Sequence, residues 1–149
     1  MYVQHSVHIA RSVDDCARML QAGPRTWFPR LRADGKSDVG LRIAGVTLRK
    51  RVTVELGEPE KAGDWINVQI SWKATFPEAL FPVLTGRVEL VPVEREATRL
   101  TVSGMYKPPL GQLGHLIDDG VMHSVAIATV REVTEAIAEH LGAPVQVSE

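Results

Sequence analysis

Three polar residues in the last third of the chain, His115, Asp119 and His123, recur every four positions and would share one face of a helix. Imidazole and carboxylate at such spacing are metal-ligand chemistry, yet the outer pair fails on distance. Eight residues of helix separate their backbones by roughly 12 Å along the axis, while zinc–nitrogen bonds are only ~2 Å long. Any two of the three would need ligands from elsewhere, and the single cysteine, Cys16, supplies no pair. No metal and no other cofactor is expected. Asp118 and Asp119 have a plainer use at a helix start, where carboxylates face free N–H groups and the positive end of the dipole. Cys16 shares a helical face with Val13, Ala17 and Leu20 and reads as a small core residue, not a nucleophile. The chain carries no Ser-His-Asp order, nucleophile elbow or Gly-rich phosphate loop.

The remaining candidates for general acid–base work are His5, Lys50 and Tyr106, and strand phase selects them. Val3, His5, Val7 and Ile9 alternate with polar residues, the period of a half-buried strand. Ser12 then offers an N-cap to a helix whose face is Val13, Cys16, Ala17 and Leu20, and Gly23-Pro24 ends it. "RTWFPRL" predicts a second short helix and "RADGKSD" a loop. From Asp38 the pattern turns to strands: "DVGLRIAG", "VTLRKRVTVELG", "DWINVQISWKA", "GRVELVPV" and "TRLTVSGMY". Their short connections favour antiparallel pairing.

In this phase Val39, Leu41, Ile43, Val46, Leu48, Val52, Val54, Ile66, Val68, Ile70, Trp72, Val88, Leu90, Leu100, Val102 and Tyr106 point one way, together with His5 and Lys50. A buried lysine is costly unless paired or near water. Lys50 therefore lines an open cavity, pairs with an acid, snorkels, or sits beyond a bulge that reverses the phase. Arg49 and Arg51 fall on the opposite, solvent face.

After "YKPPLG", residues from about Leu113 to Leu141 contain no proline and predict one long helix. Pro108 and Pro109 stop the last strand, and Gly111 and Gly114 let the chain turn back. At ~1.5 Å per residue such a helix is long enough to cross and cover a curved sheet. Ile117, Val121, Val125 and Ala128 cluster on one side of it and Met122, Ala126, Val130, Val133 and Ile137 on the other. Glu132, Glu135 and Glu139 make the first side charged in the second half only. Burial of the first half between the sheet and the short helices around Trp27 explains this pattern. A ligand entrance or a subunit interface, and so a homodimer, would produce it too.

The chain has 149 residues, 44 % of them hydrophobic, and a formal net charge of −1, which fits one domain over 1–149 with one core. That balance gives no whole-molecule attraction to nucleic acid or anionic membrane. The basic run from Arg25 to Arg51 reads as a solvated face. No run approaches the ~18 apolar residues of a membrane span, and the lone cysteine fits a reducing compartment, so a cytoplasmic protein without membrane insertion is expected. The tail from about 143 to 149 is expected to be flexible.

This order of elements, and above all "LFPVLTGRVELVPVEREATRLTVSGMYKPPLGQLGHLIDDGVMHSVAIATVREVTEAI", resembles the START/Bet v 1-like superfamily, also called SRPBCC or polyketide cyclase/dehydrase-like. The resemblance implies an α+β helix-grip fold: a curved antiparallel sheet wrapped around a long C-terminal helix, with two short helices after the first strand. It further implies a cavity between sheet and helix that accepts a hydrophobic or amphipathic small molecule, lipid-like or aromatic and polyketide-like. The lining expected for that cavity is Trp27, Phe28, Leu48, Val52, Val68, Ile70, Trp72, Phe81, Val102, Tyr106, Ile117 and Val121. The superfamily supplies no universal catalytic motif. A cyclase or dehydratase using His5, Lys50 or Tyr106 is the alternative reading, and a ligand-free dimerisation or interaction module is another.

Overall fold

The computed structural model describes residues 2–43, 46–74, 83–107 and 119–142, without the side chains of 39–43, 46–50, 74 and 119–122. The chain begins with strand β1 (Tyr2–Ile9), followed by helix α1 (Val13–Gln21). Ser12 is in extended conformation and its hydroxyl accepts the Asp15 N–H at 3.2 Å, so the cap read from the sequence is made. Cys16 and Leu20 are buried on the inner face of α1, with Val13 and Ala17 partly so.

The second helix is shorter than expected. Helix α2 (Pro24–Trp27) stops where Phe28 turns extended, at φ −84° and ψ 131°. Phe28 precedes Pro29, and the proline ring disfavours helical geometry in the residue before it. Pro24 sits at the first helical position, where its missing N–H costs nothing. Arg30 then adopts a positive φ of 52°, and its guanidinium binds the Asp38 carbonyl at 2.8 Å and Glu132 at 3.2 Å.

Six strands follow: β2 (Lys36–Ile43), β3 (Val46–Leu56), β4 (Glu60–Ala62), β5 (Trp65–Ala74), β6 (Val83–Glu94) and β7 (Ala97–Lys107). They form one antiparallel sheet with β1, in the order β1-β7-β6-β5-β3-β2, while β4 pairs with β5. Strand β2 begins two residues before the expected start at Asp38, taking in Lys36 and Ser37 of the expected loop. Pairing of Lys36 with Thr53 and a buried hydrogen bond from the Ser37 hydroxyl to the Pro29 carbonyl at 2.7 Å override their polar composition. Strand β4 was not expected either: it is three exposed residues without alternation, held by a two-residue turn whose Gly63 has φ 65°.

The β2–β3 register runs unbroken from Lys36 opposite Thr53 to Ile43 opposite Val46. No bulge reverses the phase at Lys50, which pairs with Val39 two residues before the buried Val52. Strands β6 and β7 approach closely at Gly86 and Gly104, which lie opposite one another. A Cβ on Gly104 would lie 2.6 Å from the Thr85 carbonyl oxygen, an approach that only glycine permits.

Helix α3 (Asp119–Leu141) ends at the residue expected and packs against the two edge strands, β1 and β2, and against β7 and α2. Sheet and helix form the α+β helix grip, a curled half-barrel with the long helix across it. The strands' buried inner face and Ala126, Val130, Val133, Ile137 and Leu141 of α3 make one hydrophobic core. The second of the helix's two apolar sides is thus the core-facing one. Val125 and Ala128 of the other side are partly buried, whereas Glu135 and Glu139 are exposed. Thr129 and Thr134 are buried too, and each donates its hydroxyl to the carbonyl four residues earlier. The expected hinge, Pro108 to Gly114, the helix start at Leu113 and the tail from 143 lie outside the described residues.

Candidate functional site

Cross-strand register arranges the inner wall as rungs. The first is Val54, Trp72, Leu84 and Tyr106, from β3 to β7; the second is Leu56, Ile70, Gly86, Gly104 and Val3. The third is Val68, Val88, Val102 and His5; the fourth is Ile66, Leu90, Leu100 and Val7. Strand alternation puts every residue of a rung on the same face. These four rungs carry no Asp, Glu, Lys or Arg, and on the second the two glycines leave adjacent positions without side chains.

Eight of the residues expected to line a cavity fall within this single core: Trp27, Phe28, Val52, Val68, Ile70, Trp72, Val102 and Tyr106 are all buried. Trp27 and Phe28 meet edge to face, with ring centroids 6.0 Å apart. Leu48 and Val121 are placed by their backbones alone, in β3 and α3. Phe81 and Ile117 lie outside the described residues.

His5 ends the third rung on the edge strand β1, where α3 covers it incompletely. Its Nε2 is 3.9 Å from Glu135 Oε1, and its side chain is 31 % exposed. Burial lowers the imidazole's pKa from the ordinary value; the Glu135 carboxylate opposes that shift and Arg131 reinforces it. Tyr106 is on the first rung, two rungs away, a separation of about 13 Å along the strands. His5 and Tyr106 therefore do not converge on one reacting atom. The Lys50 side chain is not described.

The metal reading rested on His115, Asp119 and His123. His115 and the Asp119 side chain lie outside the described residues, and among the described residues no cluster of three or more His, Cys, Asp or Glu side chains could hold a metal. Cys16 is buried, and burial raises its thiol pKa against the smaller effects of Thr98 and Arg11. The basic run is partly neutralised: Arg30 pairs with Glu132, Arg32 with Asp34 at 3.8 Å, and Arg51 with Asp38 at 3.6 Å.

Three features were not anticipated. Leu84 completes the first rung, although Gly86 looked like a strand start. A cavity of about 380 Å³ opens between the α1–α2 turn and the break between β3 and β4, lined by Leu20, Gln21, Pro24, Trp27, Glu58 and Pro59 among others. Its walls are two Gly/Pro interruptions more than thirty residues apart, so no local pattern announces it. Finally, the indole Nε1 of Trp72 is buried with no hydrogen-bond partner. Of the described buried side chains only Asn67, through its Oδ1, shares that condition, and it lies on the other face of β5.

No family model matches the sequence, and no curated protein matches it. Solved structures do match in fold. A conserved protein from Geobacillus kaustophilus superposes with a TM-score of 0.58 at 16 % identity, over 95 % of each chain. A protein from Thermus thermophilus gives 0.54 at 14 % identity, over 95 % of this chain and 97 % of that one. The Zhui aromatase/cyclase from a Streptomyces species gives 0.54 at 15 % identity, over 95 % and 90 %. At these identities the likeness is one of fold alone, and it runs across nearly the whole chain. No helix among the described residues is long and apolar enough to cross a membrane.

Proposed function

We propose that the protein binds an uncharged hydrophobic or amphipathic small molecule, lipid-like or aromatic, between the inner face of the sheet and α3. The observation that carries this reading is the central inner wall: four rungs across β3, β5, β6, β7 and β1 without an acidic or basic side chain other than His5 at the rim, with Lys50, in the same phase of β3, four residues before the first rung's Val54. An ion placed there would lose its hydration without a partner, whereas an apolar body exchanges water for apolar surface. Fold likeness to an aromatase/cyclase supports a small-molecule interior. Binding is favoured over catalysis because His5 and Tyr106 stand two rungs apart, and acid–base work needs groups within hydrogen-bond reach of a common substrate.

Native mass spectrometry and thermal unfolding against long-chain alcohols, fatty esters and polycyclic aromatic ketones test the reading. A true ligand at a hundred times its Kd should stabilise the fold by about 2.7 kcal/mol and appear as a one-to-one adduct. Absence of both adduct and stabilisation across all three classes would contradict it.

A further inference from the structure

A tryptophan indole N–H is a donor and nothing else, and a buried donor normally has an acceptor. Trp72 is 2 % exposed and its Nε1 has no acceptor. Its neighbours across the strands cannot supply one: Val54 and Leu84 flank it with aliphatic side chains. The strand carbonyls beside it belong to the β3–β5 and β5–β6 ladders. Phenylalanine would fill a similar flat space with no polar atom to desolvate, so the sequence carries at this position an N–H that the described residues leave unused.

We infer that the molecule held in the interior carries an uncharged carbonyl-type oxygen, and that this oxygen accepts the Trp72 indole N–H. The inference rests on the binding reading above and narrows it from an apolar molecule to one with a carbonyl acceptor at a defined depth. A carbonyl fits where a carboxylate does not. It offers lone pairs without a net charge, and the rung of Val54, Trp72, Leu84 and Tyr106 holds no cation to pair with an anion. An alcohol's oxygen could also accept the N–H, but its own O–H would bring a second buried donor to this apolar wall; a ketone, ester or quinone brings none. The glycines of the next rung, Gly86 and Gly104, leave two adjacent wall positions without side chains, against which a flat ring or chain can lie. Placement thus divides between elements: the side-chain-free wall takes the apolar body and Trp72 fixes the one polar atom.

A matched pair of probes separates this contact from general apolar binding. Fluorenone and fluorene have the same tricyclic outline and differ in a carbonyl against a methylene. Titration by calorimetry should give the wild-type protein about three- to tenfold tighter binding of fluorenone, the usual range for one hydrogen bond gained. Trp72→Phe should bind both probes alike. The protein has three tryptophans, so its ¹⁵N–¹H spectrum shows three indole signals, and loss of one in Trp72→Phe assigns that position. Fluorenone, and not fluorene, should move the Trp72 indole proton downfield in the wild type, a readout that stands even if the variant fails to fold. Equal affinity for the two probes with an unmoved indole signal overturns the carbonyl contact while leaving interior binding intact. Binding of neither overturns both.

Discussion

Gly86→Ala tests whether the closure of the sheet depends on the contact at β6–β7. A Cβ there would overlap the Ser103 carbonyl oxygen and stand 2.6 Å from the Gly104 Cα and 2.8 Å from the Ser103 carbonyl carbon. Non-bonded carbons settle at about 3.5–4.0 Å, so the overlap approaches ~1 Å, and it falls on ladder backbone that cannot rotate away. Overpacking of this kind costs about 1–3 kcal/mol. Loss of unfolded-state freedom on replacing glycine offsets about 0.4–1 kcal/mol of it. The balance is a destabilisation of about 1–2 kcal/mol, a Tm lower by about 3–8 °C for a domain of this size. Gly57→Ala is the control, because its Cβ would meet Gln69 Cβ at an ordinary 3.5 Å; it should stay within about 0.5 kcal/mol of wild type. Urea unfolding followed by tryptophan fluorescence, with calorimetry for Tm, reads both. If Gly86→Ala is as stable as Gly57→Ala, the strands are not held this close and the reasoning fails.

His5 has a lowered pKa in the fold, chiefly through burial, so unfolding takes up a proton near neutral pH. Stability should be full above the imidazole's ordinary value of 6.5 and decline as pH falls below it towards the folded value; His5→Gln should flatten that decline in urea titrations at pH 5 to 8. In an NMR titration Glu135→Gln should lower the His5 pKa further and Arg131→Gln should raise it; the reverse order would refute the assignment of causes. Cys16, buried and with a raised pKa, should resist a thiol reagent in the native state and react at once in denaturant; fast native labelling would contradict its placement. Ser12→Ala removes the cap that accepts the Asp15 N–H and should cost about 1 kcal/mol in chemical unfolding.

Much of this architecture was legible because local chemistry and global packing agree along most of the chain. Ser12, the period-two strands and the proline-free run to Leu141 each specify their element without help from neighbours. Legibility failed where pairing outweighs composition. Lys36 and Ser37 look like loop but complete β2 against β3, and Glu60 to Ala62 form a strand only because Trp65 to Asn67 are there to pair with. Pro29 carried a signal that "RTWFPRL" obscured: the residue before a proline leaves the helical region, which stops α2 at Trp27. Of the site, the inward phase of Val52, Val68, Ile70, Trp72, Val102 and Tyr106 was readable from alternation alone. The partnerless indole was not, since hydrogen-bond satisfaction is a property of three-dimensional neighbours. Nor was the separation of His5 from Tyr106, which depends on the register of β1 against β7.

The claim that the interior between sheet and α3 receives an apolar molecule is met most directly by a methyl ¹³C–¹H map of the valines during titration with fluorenone. Val68, Val88, Val102, Val130 and Val133 are buried on the inner wall and helix, whereas Val83 and Val93 are 39 % and 40 % exposed. Saturable shifts in the inner set, with Val83 and Val93 unmoved, are the result expected. Shifts confined to Val83 and Val93, or none in the inner set while the probe binds, would place the ligand elsewhere and contradict the account.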